Sequence, residues 1–240
     1  LNINLTTKKV DTNALAKDGW HRVDKYSWSG LWHASPSGLS HMPGHGHQDC
    51  GSFEVHYRDQ PIFIDPGRGK YGESGDAALY RSAQVHNNLL IDDADPYPPN
   101  KPYYDDSFRL LVSGPSPNIK QNENSIKLTH SGYKRLKNVG AISRNWRFSP
   151  LSLSIEDNVE GKSTHRVSRI LVTPMKVSEY GESLVLEGEK YRFHLVNDCN
   201  YKIEPITQWK AYGLGTPAFA IKMILQTNLP WTGKLLLEVI

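Results

Sequence analysis

Short apolar and β-branched runs, four to eight residues long, recur along this chain between clusters of turn residues, and almost nothing repeats with helical spacing. Gly51 to Tyr57 (GSFEVHY) alternates toward Arg58-Asp59-Gln60, which reads as a turn, and Pro61 to Asp65 (PIFID) follows; together they predict a β-hairpin. Further strands are expected at LLID (89–92), FRLLVS (108–113), SIKLTH (125–130), LSLSIEDNV (151–159) and RVSRILVT (166–173). SLVLEG, KYRFHLV, AFAIKMILQT and KLLLEVI continue the series to the end of the chain. Val, Ile, Tyr and Phe recur in these runs and suit a pleated, half-buried surface. One helical turn is expected, around residues 76–84. Strands at this spacing with no helices between them predict an all-β fold, an antiparallel sandwich or barrel.

Loops rich in Gly (44–46 and 66–75) and in Pro and Tyr (96–104) interrupt the rhythm, but strand patterning resumes on each side. The reading is therefore one domain over residues 1–240, with a lead-in segment before about residue 20. The 240 residues include 38 % apolar and 22 % charged side chains, a soluble, core-forming composition. No apolar run approaches the ~18 to 20 residues of a membrane-spanning helix, so no membrane insertion is expected. Leu1-Asn2-Ile3-Asn4 has neither the basic start nor the apolar stretch of a signal peptide, and opening on Leu suggests a processed chain or a domain of a longer one. The net charge of +3 is spread along the chain, compatible with polyanions but selecting none, and no nucleic-acid motif is present. Cys50 and Cys199 cannot make a disulfide framework and read as two free thiols, with a single bridge left open.

Six of the ten histidines fall within the first 56 residues, densest in His41-Met42-Pro43-Gly44-His45-Gly46-His47-Gln48-Asp49. Asp65 follows in a turn, Ile64-Asp65-Pro66-Gly67, and His86 in Val85-His86-Asn87-Asn88. Two imidazoles and a carboxylate suit zinc and leave a position open for water. Asp65 ends the hairpin's second strand and His47 precedes its first, so the two can approach. Singly, each residue also has an ordinary reading. His-Gly-His serves as a polar turn, Asp-Pro-Gly and Asn87-Asn88 as local turn formers, and Tyr71 and Tyr80 as packed aromatics.

As a block, GHGHQDCGSFEVHYRDQPIFIDPGRGKYG followed by ALYRSAQVHNNLLID resembles the signature of the heparinase II/III-like family. Three elements occur in order: His-x-His-x-Asp before a Ser-Phe-Glu strand, a hairpin ending in Asp-Pro-Gly, and Arg-Ser followed by His-Asn and an apolar strand. The specific match covers residues 44–92.

The resemblance implies the carboxyl-terminal domain of a polysaccharide lyase, a large antiparallel β-sandwich of the supersandwich kind. In the family it is joined to an amino-terminal (α/α) toroid that this chain lacks. It implies zinc ligated by His47, Asp65 and His86, with the metal holding loops in place rather than activating a nucleophile. His45 matches an active-site histidine, Tyr71 a substrate-facing tyrosine, and Arg81 the Arg-Ser arginine, with a structural or carboxylate-pairing role at the substrate. Asp49 is expected beside the ligands rather than among them. The implied partners are an acidic, uronate-containing polysaccharide cleaved by β-elimination and a toroid domain or partner chain; the implied location is periplasmic or secreted. Without the toroid the isolated chain is expected to be inactive.

Two other functions fit parts of the pattern. His47-x-Asp49 with His86 spells the HxD…H triad of non-haem Fe(II) oxygenases, which would put iron in place of zinc and Asp49 in place of Asp65. A zinc-stabilised sandwich that binds carbohydrate without catalysis is the other, its six Trp and twelve Tyr offering sugar-stacking faces.

Overall fold

The computed structural model describes residues 11–36, 45–99 and 105–240. The lead-in segment before 11, His41 to Gly44 of the histidine-rich stretch, and 100–104 of the Pro/Tyr-rich loop lie outside the described residues. In chain order the elements are α1 (Thr12–Lys17), β1 (Trp20–Lys25), β2 (Trp28–His33), β3 (Phe53–Tyr57), β4 (Gln60–Phe63), α2 (Gly75–Leu79), β5 (Leu89–Ile91) and α3 (Asp106–Ser113). They continue with β6 (Asn118–Gln121), β7 (Ser125–His130), β8 (Val139–Phe148), β9 (Ser152–Gly161), β10 (Thr164–Thr173) and β11 (Lys176–Tyr180). The last are β12 (Ser183–Glu187), β13 (Arg192–Asn197), β14 (Tyr201–Ala211), β15 (Leu214–Asn228) and β16 (Trp231–Val239).

The fold is all-β, with antiparallel pairing throughout. One sheet of four runs β1-β2-β3-β4, a second β14-β15-β10-β5, and an eight-stranded sheet runs β11-β12-β13-β16-β9-β8-β7-β6. The expected hairpin is present as β3 and β4, with Arg58 at φ 54° in the turn and Val55 paired with Phe63. Both cysteines are free thiols. Among the described residues no helix is long and apolar enough to cross a membrane.

One expected strand is a helix. Phe108 to Ser113 lies within α3, where Asp105 caps the amino end by accepting from the Ser107 amide at 2.8 Å, and Gly114 ends the helix at φ 73°. A side-chain cap at the start and a positive-φ glycine after the last turn outweigh a short apolar run that suits either element. Leu110 and Leu111 remain exposed, so the run was not a core strand.

The core lies where β2 and β3 meet the large sheet. Trp32 stacks on Phe53, with centroids 5.8 Å apart, and both meet Trp146 edge-on. All three are buried, each worth about 1.5 to 3 kcal/mol or more as an apolar side chain removed from water.

Inside this apolar interior sits a buried ionic triad. Arg144 Nε donates to Asp157 Oδ1 at 2.8 Å and Arg169 Nε to Asp157 Oδ2 at 2.7 Å. Burial alone would raise the Asp157 carboxyl; the two guanidinium groups reverse this and hold it below the usual carboxylate range. Arg144 Nη1 also donates to the carbonyls of Gly51 (3.1 Å) and Asn87 (2.8 Å), so one side chain ties the large sheet to the segments before β3 and β5. Removing the carboxylate leaves buried Arg144 with no anionic partner and Arg169 with only Asp198, 3.6 Å away. Asp157→Asn is expected to lower the unfolding free energy by about 3 to 5 kcal/mol in urea titration. A triple replacement of Arg144 and Arg169 by Met and Asp157 by Leu should recover only part of that loss, because the Gly51 and Asn87 carbonyls lose their donor; an Asp157→Asn variant as stable as wild type would contradict the triad's role.

Candidate metal and carbohydrate site

Asp65 enters the site because the chain has just been tied to the second sheet. The Ile64 amide donates to the Val172 carbonyl at 3.0 Å, and Pro66 and Gly67 then turn the backbone away. Gly67 is required there: its φ is +64°, and a Cβ would come 2.4 Å from the Trp209 carbonyl. Asp65 Oδ1 accepts from the Gly67 amide at 2.8 Å, leaving Oδ2 2.7 Å from His86 Nδ1.

His86 follows a single 3-10 turn (Ala83–Val85) whose Ala83 amide donates to the Asp95 carboxylate at 2.8 Å. The His86 ring is wholly buried, and its Nε2, the edge away from Asp65, lies near the Tyr80 backbone, which favours its proton without a bond of full hydrogen-bonding geometry. The next residue, Asn87, is a staple rather than a turn former. Its Nδ2 donates to the Phe53 (2.6 Å) and Ile64 (3.1 Å) carbonyls, and its Oδ1 accepts from the Val172 amide at 2.6 Å. Asn88 Nδ2 donates to the Gln48 carbonyl at 2.8 Å. Gln48 is itself clamped, its side chain making two bonds with the Tyr97 backbone, at 2.7 and 2.9 Å. That clamp holds the adjoining His47 with its ring centroid 5.3 Å from that of His86.

Of the three residues expected to share an ion, Asp65 touches His86, and the His47 ring stands beside that of His86. Burial, then the neighbouring His86, lowers His47 to about 4, so at neutral pH it is an uncharged donor. Burial opposes ionisation of Asp65, but His86, the Gly67 amide and His47 together bring it down to about 2. Burial disfavours charge on His86, yet Asp65 raises it above the ordinary histidine value. By type, two imidazoles and a carboxylate match a divalent zinc donor set, and the His86 Nδ1 edge, which faces Asp65 Oδ2 at 2.7 Å, is the one from which an ion shared with Asp65 would be held. Among the described residues, no group of three or more His, Cys, Asp or Glu is placed so that it could hold a metal ion.

Beside His47 and Asp65 opens a cleft of about 1110 Å³, lined by His21, His33, His45, His47, Glu54 and Asp65, among others. His45, on that lining, meets Tyr71 edge to face, with centroids 5.5 Å apart. Tyr71 is 62 % exposed, with the Arg68 guanidinium 4.9 Å over its ring. Arg81 pairs with Glu73 at 2.9 Å and reaches the Gly46 carbonyl at 3.4 Å, so it braces the backbone between His45 and His47. Tyr80 is a packed aromatic whose hydroxyl accepts from the Thr207 amide at 3.0 Å.

Asp49 turns elsewhere. Its Oδ1 lies 3.0 Å from His33 Nδ1, while His33 Nε2 lies 2.7 Å from Ser35 Oγ and Trp20 stacks on the ring. The resulting Ser–His–Asp succession is not aligned for proton relay, because neither His33 Nδ1 nor Asp49 Oδ1 has a partner in hydrogen-bonding geometry. The sequence reading missed Gln48 and the pinning role of Asn87, whose contacts lie 23 to 85 residues away. It also missed Glu54, whose carboxyl burial and Asp65 raise.

The family model for the heparinase II/III-like carboxyl-terminal domain matches residues 7–226. The chain belongs to this family. Among solved structures it resembles the heparinase III BT4657 gene product at 16 % identity and TM-score 0.69, covering 93 % of this chain and 35 % of that one. Heparan sulfate lyase HepC from Pedobacter heparinus matches at 16 % identity and TM-score 0.65, covering 92 % of this chain and 35 % of that one. A 4-alpha-glucanotransferase from Thermococcus litoralis matches at 9 % identity and TM-score 0.51, over 91 % of this chain and 37 % of that one. At these identities the likeness is one of fold, and a fold hosts more than one chemistry. The chain spans about a third of the length of the lyase structures it matches. No curated protein matches it.

The low His47 value has a measurable consequence in metal-free protein. Below pH 6.5 an unfolded histidine takes a proton that folded His47 refuses until about 4, so stability falls as the pH drops through that window. The full cost, reached below the folded value, is about 3 kcal/mol. His130, buried and likewise at about 4, acts with the same sign. His47→Gln in chelator-treated protein should flatten the dependence of unfolding free energy on pH between 6.5 and 4; an unchanged slope would show that His47 is not held neutral.

Proposed function

We propose that this chain is the β-sandwich portion of a polysaccharide lyase that cleaves uronate-containing acidic polysaccharide by β-elimination. His47, Asp65 and His86 are the donors for a structural zinc, and His45 and Tyr71 are its catalytic contribution. The observation that carries the reading is the 5.5 Å contact of Tyr71 with His45, which lines the same cleft as His47 and Asp65. Family membership adds the matching context, and two of the structures most like this chain are called heparinase III and heparan sulfate lyase.

The chemistry asks for these residue types. The C5 proton of a uronate is alpha to a carboxylate and becomes acidic as donors near that carboxylate absorb the charge developing on it. His45 or Tyr71 takes that proton; the C4–O4 bond breaks, a C4–C5 double bond forms, and a tyrosine hydroxyl protonates the departing O4. Each such transfer is typically worth about 10² to 10⁴ in rate. Zinc, when bound, would cross-link the loops that carry its three donors. Arg81, committed to Glu73 and Gly46, supports a positioning role better than direct contact with substrate.

The other wall of the cleft comes, on this reading, from a toroid domain or partner chain, and the protein acts in the periplasm or outside the cell. An iron oxygenase is disfavoured because Asp49 faces His33 while Asp65 faces His86.

Elemental analysis should find about one zinc, and no iron, per chain, and a chelator should lower the melting temperature. His86→Ala should melt like chelated wild type and respond little to further chelator. A protein that loses its metal without any change in melting would sink the structural-zinc reading. In protein carrying both walls of the cleft, His45→Ala should cut turnover by about 10² or more with zinc content unchanged, while the isolated sandwich is nearly inactive. The readout is near-ultraviolet absorbance of the unsaturated uronate. Saturated products would mean hydrolysis, and oligosaccharide binding without any cleavage would mean a non-catalytic module.

A further inference from the structure

We infer that Tyr212, at the tip of the β14–β15 hairpin, forms with Tyr71 an aromatic subsite that stacks a pyranose ring of the polysaccharide beside His45. The inference rests on the carbohydrate reading above and extends it to a residue far from the motif block.

The two phenol rings stack with centroids 5.9 Å apart and planes 27° apart, although Tyr212 is 70 % exposed and Tyr71 62 %. Two large aromatics held parallel in water present apolar faces with polar rims, the character of a sugar-stacking surface. Tyr71 is already engaged by Arg68 at 4.9 Å and by the edge of His45 at 5.5 Å. Among the described ring contacts Tyr212 meets only Tyr71, so it is the ring with a face to offer.

Its position is built rather than incidental. Ala211 pairs with Leu214 across a two-residue turn in which Gly213 takes φ +70°. The Gly213 amide donates to the Gly69 carbonyl at 2.9 Å, and the Trp209 amide to the Pro66 carbonyl at 2.7 Å. Gly69 lies flat against Trp209, where a Cβ would come 2.3 Å from the indole. The hairpin tip is thereby fastened to the loop that starts at Asp65 and carries Tyr71. A preformed platform binds a ring without the cost of ordering a loose side chain.

The test uses the protein carrying both walls of the cleft, with heparan sulfate and alginate as parallel substrates. Tyr212→Ala should raise KM about threefold to tenfold, the scale of one aromatic contact, with kcat changing less, and Tyr212→Trp should restore KM. Melting temperature should stay at the wild-type value, since the side chain is exposed. Calorimetric titration with heparan sulfate and alginate hexasaccharides needs no turnover and should show the same loss of affinity in Tyr212→Ala. If wild type binds a hexasaccharide in a Tyr212-dependent way but makes no unsaturated product, the lyase reading fails and the subsite stands. The subsite is overturned if Tyr212→Ala matches wild type in KM and affinity, if neither hexasaccharide binds, or if Tyr212→Trp fails to rescue.

Discussion

Asp157 holds two buried arginines, and most of the arrangement near the site can be traced to that one carboxylate. With Asp157 ionised, Arg144 and Arg169 are compensated in an interior that would otherwise reject them. Arg144 can then direct another of its donors, Nη1, to the carbonyls of Gly51 and Asn87. Those carbonyls flank the histidine-rich segment on one side and His86 on the other. A purely apolar core would hold the strands together, but it has no means of fixing two irregular segments by their backbones.

The site inherits that fixity. Asn87 joins β3, the end of β4 and β10 through three bonds, and Gln48 is gripped by Tyr97 and Asn88. His47, Asp65 and His86 each lie next to, or one residue from, a member of this network. Their electrostatics follow from where they are held: His47 is uncharged because it is buried beside another imidazole, and Asp65 is ionised because it faces His86. Tyr71, Arg68 and Tyr212 stand outside the network on the exposed rim, where contact with a large ligand is possible.

Much of this was legible in the chain because strand alternation and motif order are local signals. SIKLTH is β7 without change of boundary, and the GSFEVHY–PIFID hairpin is present with shortened strands. FRLLVS was misread because a short apolar run has no period of its own, and the decisive information lay in Asp105 and Gly114 at its ends. The trio of candidate ligands could be named because residue type and order carry them. Gln48, Asn87 and Arg144 could not be ranked, since their meaning lies in bonds such as that from Arg144 to Gly51, 93 residues away. Tyr212 was hidden for the same reason: nothing near it in sequence points to Tyr71.

The fastening of Gly67 and Gly69 against Trp209 has a consequence for how the protein is made. On a ribosome, Asp65 and His86 emerge well before residues 201–213, so the loop that carries Asp65 and Tyr71 meets its backing only after more than a hundred further residues have been made. Nascent chains shorter than about residue 213 have the motif block complete but its supporting hairpin unmade. Contacts this distant in sequence close late and slowly. The loop that carries Asp65 and Tyr71 thus waits for a hairpin that carries none of the signature residues, and that hairpin governs when the loop takes its final place.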